Sequence, residues 1–127
     1  MNCLSSLNTG DLILKLRDFA RERDWEQFHT PKNLVMALSV ECSELVEHFQ
    51  WLTPEEAQDL KSENPETTER REKVSEEVCD ILFYLLRFSD IMNIDLQEAA
   101  KKKYEKNAKK YPAEKVRGNS KKYNEYE

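Results

Sequence analysis

Residues 34–49 read LVMALSVECSELVEHF and residues 76–86 read EEVCDILFYLL. Each stretch is mostly apolar, and each carries two acids three residues apart, Glu41 with Glu44 and Glu77 with Asp80. Positions i and i+3 share a helix face, so each helix sets two carboxylates on one side of an apolar run. Acids in such surroundings require a reason. Two such helices turned toward a bundle interior place four hard oxygen donors around one cavity. Like charges that close repel unless a cation binds or a proton is taken up. All-oxygen sites favour Mg²⁺ or Mn²⁺, with waters and phosphates completing the shell. A di-iron bundle uses Glu-x-x-His on two helices, but His48 has Leu45 three residues earlier, and the one such motif, Glu26 to His29, precedes Pro31 in a connection. Salt bridges on a solvated face would explain a single pair more simply; two pairs in apolar runs favour a metal.

Working outward, Thr30-Pro31 is a capping hydroxyl followed by proline at the first helical position. It opens a helix from Pro31 to about Gln50 that repeats Leu34, Leu38, Leu45 and Phe49. Before it, Leu12, Leu16, Phe19 and Ala20 predict a helix over about 11–24, capped by Thr9 or Asp11. After it, Thr53-Pro54-Glu55-Glu56 predicts a short helix with a glutamate placed for a capping box, closed by Asn64-Pro65. A breaker-free run over about 66–92 carries the stripe Val74, Val78, Ile81, Leu82, Leu85 and Phe88. Asp95 then caps a last helix that Tyr111-Pro112 ends near Lys110. The expected fold is all-α, a bundle of four main helices plus a short extra one over residues 1–112, followed by a polar, mobile tail over 113–127.

Composition agrees. With 2 glycines and 4 prolines in 127 residues, the chain lacks the turn residues of a sandwich, barrel or doubly wound sheet. The net charge of -5 conceals an asymmetry: residues 1–100 hold 10 basic and 21 acidic side chains, residues 101–127 hold 10 basic and 4 acidic. An acidic body disfavours a nucleic-acid polymer and suits cations, whereas a basic end suits phosphate. No stretch resembles a membrane span or a signal peptide, which places the protein in the cytoplasm. Cys3, Cys42 and Cys79 lack CxxC spacing, so neither a disulfide framework nor a zinc site is indicated. Cys42 and Cys79 read as small buried residues rather than nucleophiles. A domain of this size buries only about two thirds of its unfolded surface, and long charged helices would bury their stripes better against a second copy.

The pattern Glu41-x-x-Glu44, then 32 residues, then Glu77-x-x-Asp80 resembles the signature of the MazG-like all-α nucleoside triphosphate pyrophosphohydrolases. RDFARERDWEQFHTPKNLVMALSVECSELVEHFQW (17–51), EEVCDILFYLL and KKKYEKNAKKYP (101–112) are similar to the branch that includes the dCTP pyrophosphatases, over about residues 12–123. Ser43 departs from the pattern, standing where many relatives have glycine. The resemblance implies hydrolysis of a nucleoside triphosphate, with dCTP or a related or modified pyrimidine favoured, to the monophosphate and pyrophosphate. It implies that Glu41, Glu44, Glu77 and Asp80 bind Mg²⁺, with one of them taking the proton of the attacking water, and that the chain assembles as a homodimer or homotetramer.

It also implies base and phosphate contacts, each with a plainer alternative. Trp25 and Trp51 flank the second helix and would stack a base, or simply pack. His29 would hydrogen-bond base or ribose, or help start the helix. Tyr84, one turn beyond Asp80, would reach a phosphate, or fill core. Lys103 and Asn107 share a face, and with Lys110 they resemble the family's phosphate-contacting end; most lysines there would otherwise be solvated surface. The rival of another class is a non-catalytic acidic module that binds a nucleotide or a basic protein partner, for which the four acids would be exposed.

Overall fold

The structure, a computed structural model, describes residues 6–125, with only the backbone at Tyr123; Cys3 lies outside the described residues. It is all-α: α1 (Thr9–Glu22), α2 (Pro31–Glu47), α3 (Pro54–Asp59), α4 (Thr68–Ile91), α5 (Leu96–Lys110) and α6 (Ala113–Val116), with no strand among the described residues. These fall into two compact units, one ending at Asn93 and one beginning at Ile94. No helix among the described residues is long and apolar enough to cross a membrane.

Helix starts follow the capping chemistry. Thr30 accepts from the Asn33 N–H with Pro31 at the first helical position. Thr53 and Glu56 form a reciprocal capping box, and Asp95 accepts from the Glu98 N–H. α1 differs from expectation: its cap is Asn8, whose side chain accepts from the Asp11 N–H, rather than Thr9 or Asp11. Asn and Asp cap about equally well, and the helix begins two residues earlier, at Thr9. The polar tail also differs, since α6 forms a single turn beyond Pro112.

In the first unit α4 packs against both α1 and α2. The apolar residues fully buried there are Ala20, Leu34 and Leu86, a thin core. The α4 stripe is only half covered: Ile81, Leu82 and Phe88 are half-buried, but Val78 and Leu85 remain exposed. α4 buries Leu86, Arg87 and Ser89 instead. Ser89 Oγ donates to the Leu85 carbonyl at 2.8 Å, which satisfies the hydroxyl within the helix.

α1 ends in a turn that places the aromatic residues. Asp24 takes a left-handed conformation (φ 53°), its N–H donates to the Arg21 carbonyl and the Trp25 N–H to the Ala20 carbonyl, at 3.0 and 2.9 Å. This is the Schellman pairing, with Asp where glycine is usual. The accompanying apolar contact is Trp25 against Phe19, edge to face at 5.8 Å between centroids. Residues 26–28 then form a 3₁₀ turn, and Asn33 Nδ2 donates to the Phe28 carbonyl at 3.0 Å, tying this connection to α2.

In the second unit, α5 is exposed from Gln97 onward, with Lys109 and Lys110 in its last turn. That position suits the negative end of a helix dipole.

Candidate active site

α2 and α4 bring their acids together. One oxygen from each of Glu41, Glu77 and Asp80 lies within 4.8 Å of the other two, and Glu44 adjoins Glu41 at the edge of this group. Glu41 Oε2 and Glu77 Oε2 are buried without a hydrogen-bond donor. A hydrogen bond between carboxyls requires a shared proton. Burial first, then Glu44, then Glu77 and Asp80, push the Glu41 carboxyl from 4.5 up to about 7. A buried acceptor without a donor costs about 1–3 kcal/mol, more when charged. The cluster therefore either holds a proton or binds a cation, and its all-oxygen donors suit a hard divalent metal.

Beside the acids is a cavity of about 340 Å³. Glu41 and Asp80 stand on its wall with Tyr84 and Arg87; Leu16, Phe19, Trp25 and Phe83 supply the apolar surface, and His29 joins them. Trp25 is 45% exposed, so part of the indole remains uncovered. Burial, then the charges of Glu41 and Asp80, hold the Tyr84 hydroxyl above its usual range. The phenol therefore stays protonated beside the acids, as a donor. Asp80, Tyr84 and Arg87 fall at i, i+4 and i+7, one face of α4.

The connection before α2 is pinned to that face. Arg87 Nε donates to His29 Nδ1 at 3.0 Å, which leaves the ring proton of a neutral His29 on Nε2. Burial and then the Arg87 charge lower the His29 pKa, against a smaller opposing effect of Glu26, so the neutral form persists. Trp25 and His29 meet edge to face at 6.4 Å.

The sequence profile of the MazG-like family matches residues 36–126. The chain belongs to the MazG-like family. It is 42% identical over 110 residues to dCTP pyrophosphatase 1 of Homo sapiens, covering 85% of this chain and 61% of that one. The Bos taurus protein of the same name is 42% identical over 108 residues, 84% of this chain and 60% of its own length. This MazG-like chain thus spans about 61% of the length of the human relative. Among solved structures, a pyrophosphatase from Archaeoglobus fulgidus matches with a TM-score of 0.71 at 40% identity, covering 85% of this chain and 95% of that one.

Of the residues singled out in the sequence, the cavity wall gathers Glu41, Asp80, Trp25, His29 and Tyr84, with Glu77 in the adjoining acid cluster. Trp51 lies beyond the end of α2, is 86% exposed and does not line this cavity. Lys103, Asn107 and Lys110 belong to the other unit, on α5; the Lys110 ammonium sits 5.8 Å from the Tyr111 ring centroid. Cys42 and Cys79 are exposed rather than buried, because their positions on α2 and α4 lie off the packed faces. The residue that sequence reasoning missed is Arg87, buried at 6% exposure on the cavity wall. Its one signal was a charge interrupting the apolar run ILFYLLRF (81–88).

Proposed function

We propose that this chain is an Mg²⁺-dependent nucleoside triphosphate pyrophosphohydrolase, with Mn²⁺ as the alternative metal, that converts dCTP or a related or modified pyrimidine deoxynucleotide to the monophosphate and pyrophosphate. The single observation that carries the reading is the acid cluster, with its two donorless buried oxygens, opening onto an aromatic cavity. The dCTP pyrophosphatases it resembles support the substrate class, and the Archaeoglobus fulgidus pyrophosphatase supports the release of pyrophosphate.

Glu41, Glu44, Glu77 and Asp80 would hold the metal, which when bound neutralises phosphate charge and polarises the α-phosphorus. The water oxygen attacks that phosphorus, the α–β bridging bond breaks, and pyrophosphate carries away the bond's electron pair. A carboxylate takes the water's proton. Glu41 and Glu44 are the candidates, whichever keeps an oxygen free of the metal to take that proton. Tyr84 donates its hydroxyl to a phosphate oxygen. Trp25 stacks the base, where an aromatic face contributes about 1–3 kcal/mol, and His29 offers its Nε2–H to base or sugar. Trp51 as a second base contact, and Lys103, Asn107 and Lys110 as phosphate contacts, rest on sequence resemblance. The cellular role that follows is removal of surplus or modified triphosphates in the cytoplasm.

We also propose a homodimer or homotetramer. Val78 and Leu85 of α4 and Met92 at its C-cap recur every seven residues and are 42–50% exposed, an apolar strip that a second copy would cover.

The acids of a merely acidic binding module would be exposed; buried oxygens on Glu41 and Glu77 weigh against it. A panel of natural and modified triphosphates, with separate detection of pyrophosphate and orthophosphate, tests the reaction. Pyrophosphate with the monophosphate is expected. Orthophosphate with the diphosphate would overturn it.

A further inference from the structure

Arg87 is the most buried cation of the first unit, and its donors can be counted. Nε binds His29 Nδ1 at 3.0 Å, and Nη1 reaches Asp90 Oδ2 at the limiting distance of 3.5 Å. Asp90 itself is committed to Arg17, whose Nε donates to Oδ2 at 2.7 Å and whose Nη2 donates to Oδ1. A guanidinium has five N–H donors in a rigid fork. Three of Arg87's therefore remain without a partner among the described residues, and the side chain lines the cavity. Its cavity neighbours Leu16, Phe19 and Phe83 carry no side-chain acceptor.

Nη2 holds two of those donors and Nη1 the third; with the Nη1 hydrogen on the Cδ side given to Asp90, the end of the fork keeps one N–H on each nitrogen, a parallel pair. We propose that Arg87 is a base-reading residue: held by His29 and Asp90, it donates two parallel N–H bonds to a nucleobase edge with two adjacent acceptors. Cytosine presents such an edge at N3 and O2, and guanine at N7 and O6. Uracil and thymine carry a hydrogen on N3, which opposes one arm of the fork. Adenine pairs its N7 with an amino donor. This inference rests on the reading of the cavity as a nucleotide site and names which bases that site takes.

Spacing on α4 agrees with this role. Arg87 follows Asp80 by seven residues, about 10 Å along the helix axis at 1.5 Å per residue, with Tyr84 between them. That is roughly the reach from an α-phosphate to the far edge of its base. Phosphate at the acids and base at Arg87 thus lie along one helix face, and Trp25 flanks the base end. His29, whose Nδ1 accepts from Arg87, keeps its Nε2–H as a separate donor to base or sugar.

The test is calorimetric titration of the full chain, with Mg²⁺, by non-hydrolysable α,β-imido analogues of dCTP, dGTP, dUTP and dATP, alongside pyrophosphate release from the parent triphosphates. The dC or dG analogue is expected to bind about tenfold or more tighter than the dU and dA analogues, in keeping with a bidentate pair. Arg87→Met is expected to erase that preference. So is Arg87→Lys, which keeps the charge but not the fork. Should either variant fail to fold, wild-type protein decides: a 3-deazacytosine or 7-deazaguanine analogue, lacking one acceptor, is expected to lose about tenfold in affinity. Equal binding of all four analogues, a preference that survives both variants, or indifference to the deaza substitution overturns the proposal. Selective binding without pyrophosphate release from any triphosphate overturns the hydrolase reading and leaves Arg87's role standing; hydrolysis without selectivity does the reverse.

Discussion

Arg17 of α1 and Asp90 of α4 are joined by a two-point ion pair, Nε to Oδ2 at 2.7 Å and Nη2 to Oδ1, and the same Oδ2 faces Arg87 at 3.5 Å. One carboxylate thus serves an exposed arginine and a buried one. The two arginines together, Arg17 first, hold the Asp90 pKa below its usual range against burial. Removing Arg17 cuts a pair whose cation is 45% exposed, and such pairs contribute about 0–1 kcal/mol. Removing the charge of Asp90 strands Arg87 as well, and breaking a buried pair costs about 3–5 kcal/mol. Asp90→Asn is therefore expected to destabilise markedly more than Arg17→Ala in urea unfolding. Because the folded-state pKa of Asp90 is depressed, its stabilisation is present above the unfolded carboxylate pKa and is lost as pH falls through the folded value. The gap between the two variants should accordingly close in strong acid; equal losses at neutral pH would show that Arg87 does not depend on Asp90.

Glu41 and Glu77 oppose each other across α2 and α4, each with a donorless buried oxygen. Glu77→Gln removes one negative charge and supplies an N–H that can face Glu41. The metal-free variant is expected to be more stable than wild type by about 1 kcal/mol, the net value of a typical hydrogen bond, while triphosphate hydrolysis falls at least a hundredfold. Thermal unfolding in chelator, beside pyrophosphate release, reads both. A variant that loses activity and stability together would mean that the acids serve the fold.

Glu41 supplies a pH dependence with a definite sign. Its pKa is raised from 4.5 to about 7, so the folded state holds a proton that the unfolded state has released. Stability of the metal-free protein should fall as pH rises from about 4.5 to 7 and level off above that. Metal binding must displace the same proton. Mg²⁺ affinity should therefore climb through pH 6 to 7, with proton release visible as a calorimetric enthalpy that depends on buffer ionisation. Affinity flat across that range would place Glu41 outside the metal site.

How far the sequence could be read follows from what each feature depends on. Caps at Thr30, Thr53 and Asp95 are local, a side chain meeting a backbone N–H three residues on, and all three stand where the spacing put them. The acids were legible for a similar reason, since i and i+3 on a helix share a face whatever the helix packs against. Which face α4 buries was not local: Val78 and Leu85 read as core, yet Leu86 and Ser89 are the residues buried where α4 packs in the first unit. Arg87 was hidden by the same rotation. An arginine within ILFYLLRF reads as the end of a stripe, and only its pairing with His29, 58 residues away in sequence, shows it as part of a cavity wall. The turn at Asp24 escaped because Asp, unlike Gly, is rarely a signal for left-handed backbone.

The thin core and the α4 strip make separable predictions. Leu86 is 2% exposed, and Leu86→Ala should cost about 2–5 kcal/mol at any protein concentration. Leu85 and Met92 are 42% and 46% exposed, so in a lone chain Leu85→Gln with Met92→Gln should cost little, since surface substitutions usually fall within about 0.5 kcal/mol. If a second copy covers the strip, the pair of changes removes apolar burial from the interface alone. The unfolding temperature of wild type should then rise with protein concentration, as it does for any folded state stabilised by association. That dependence should flatten in the double variant, and analytical ultracentrifugation should show a shift toward monomer. Wild type that sediments as a monomer at every concentration would instead leave the exposed strip to some other partner.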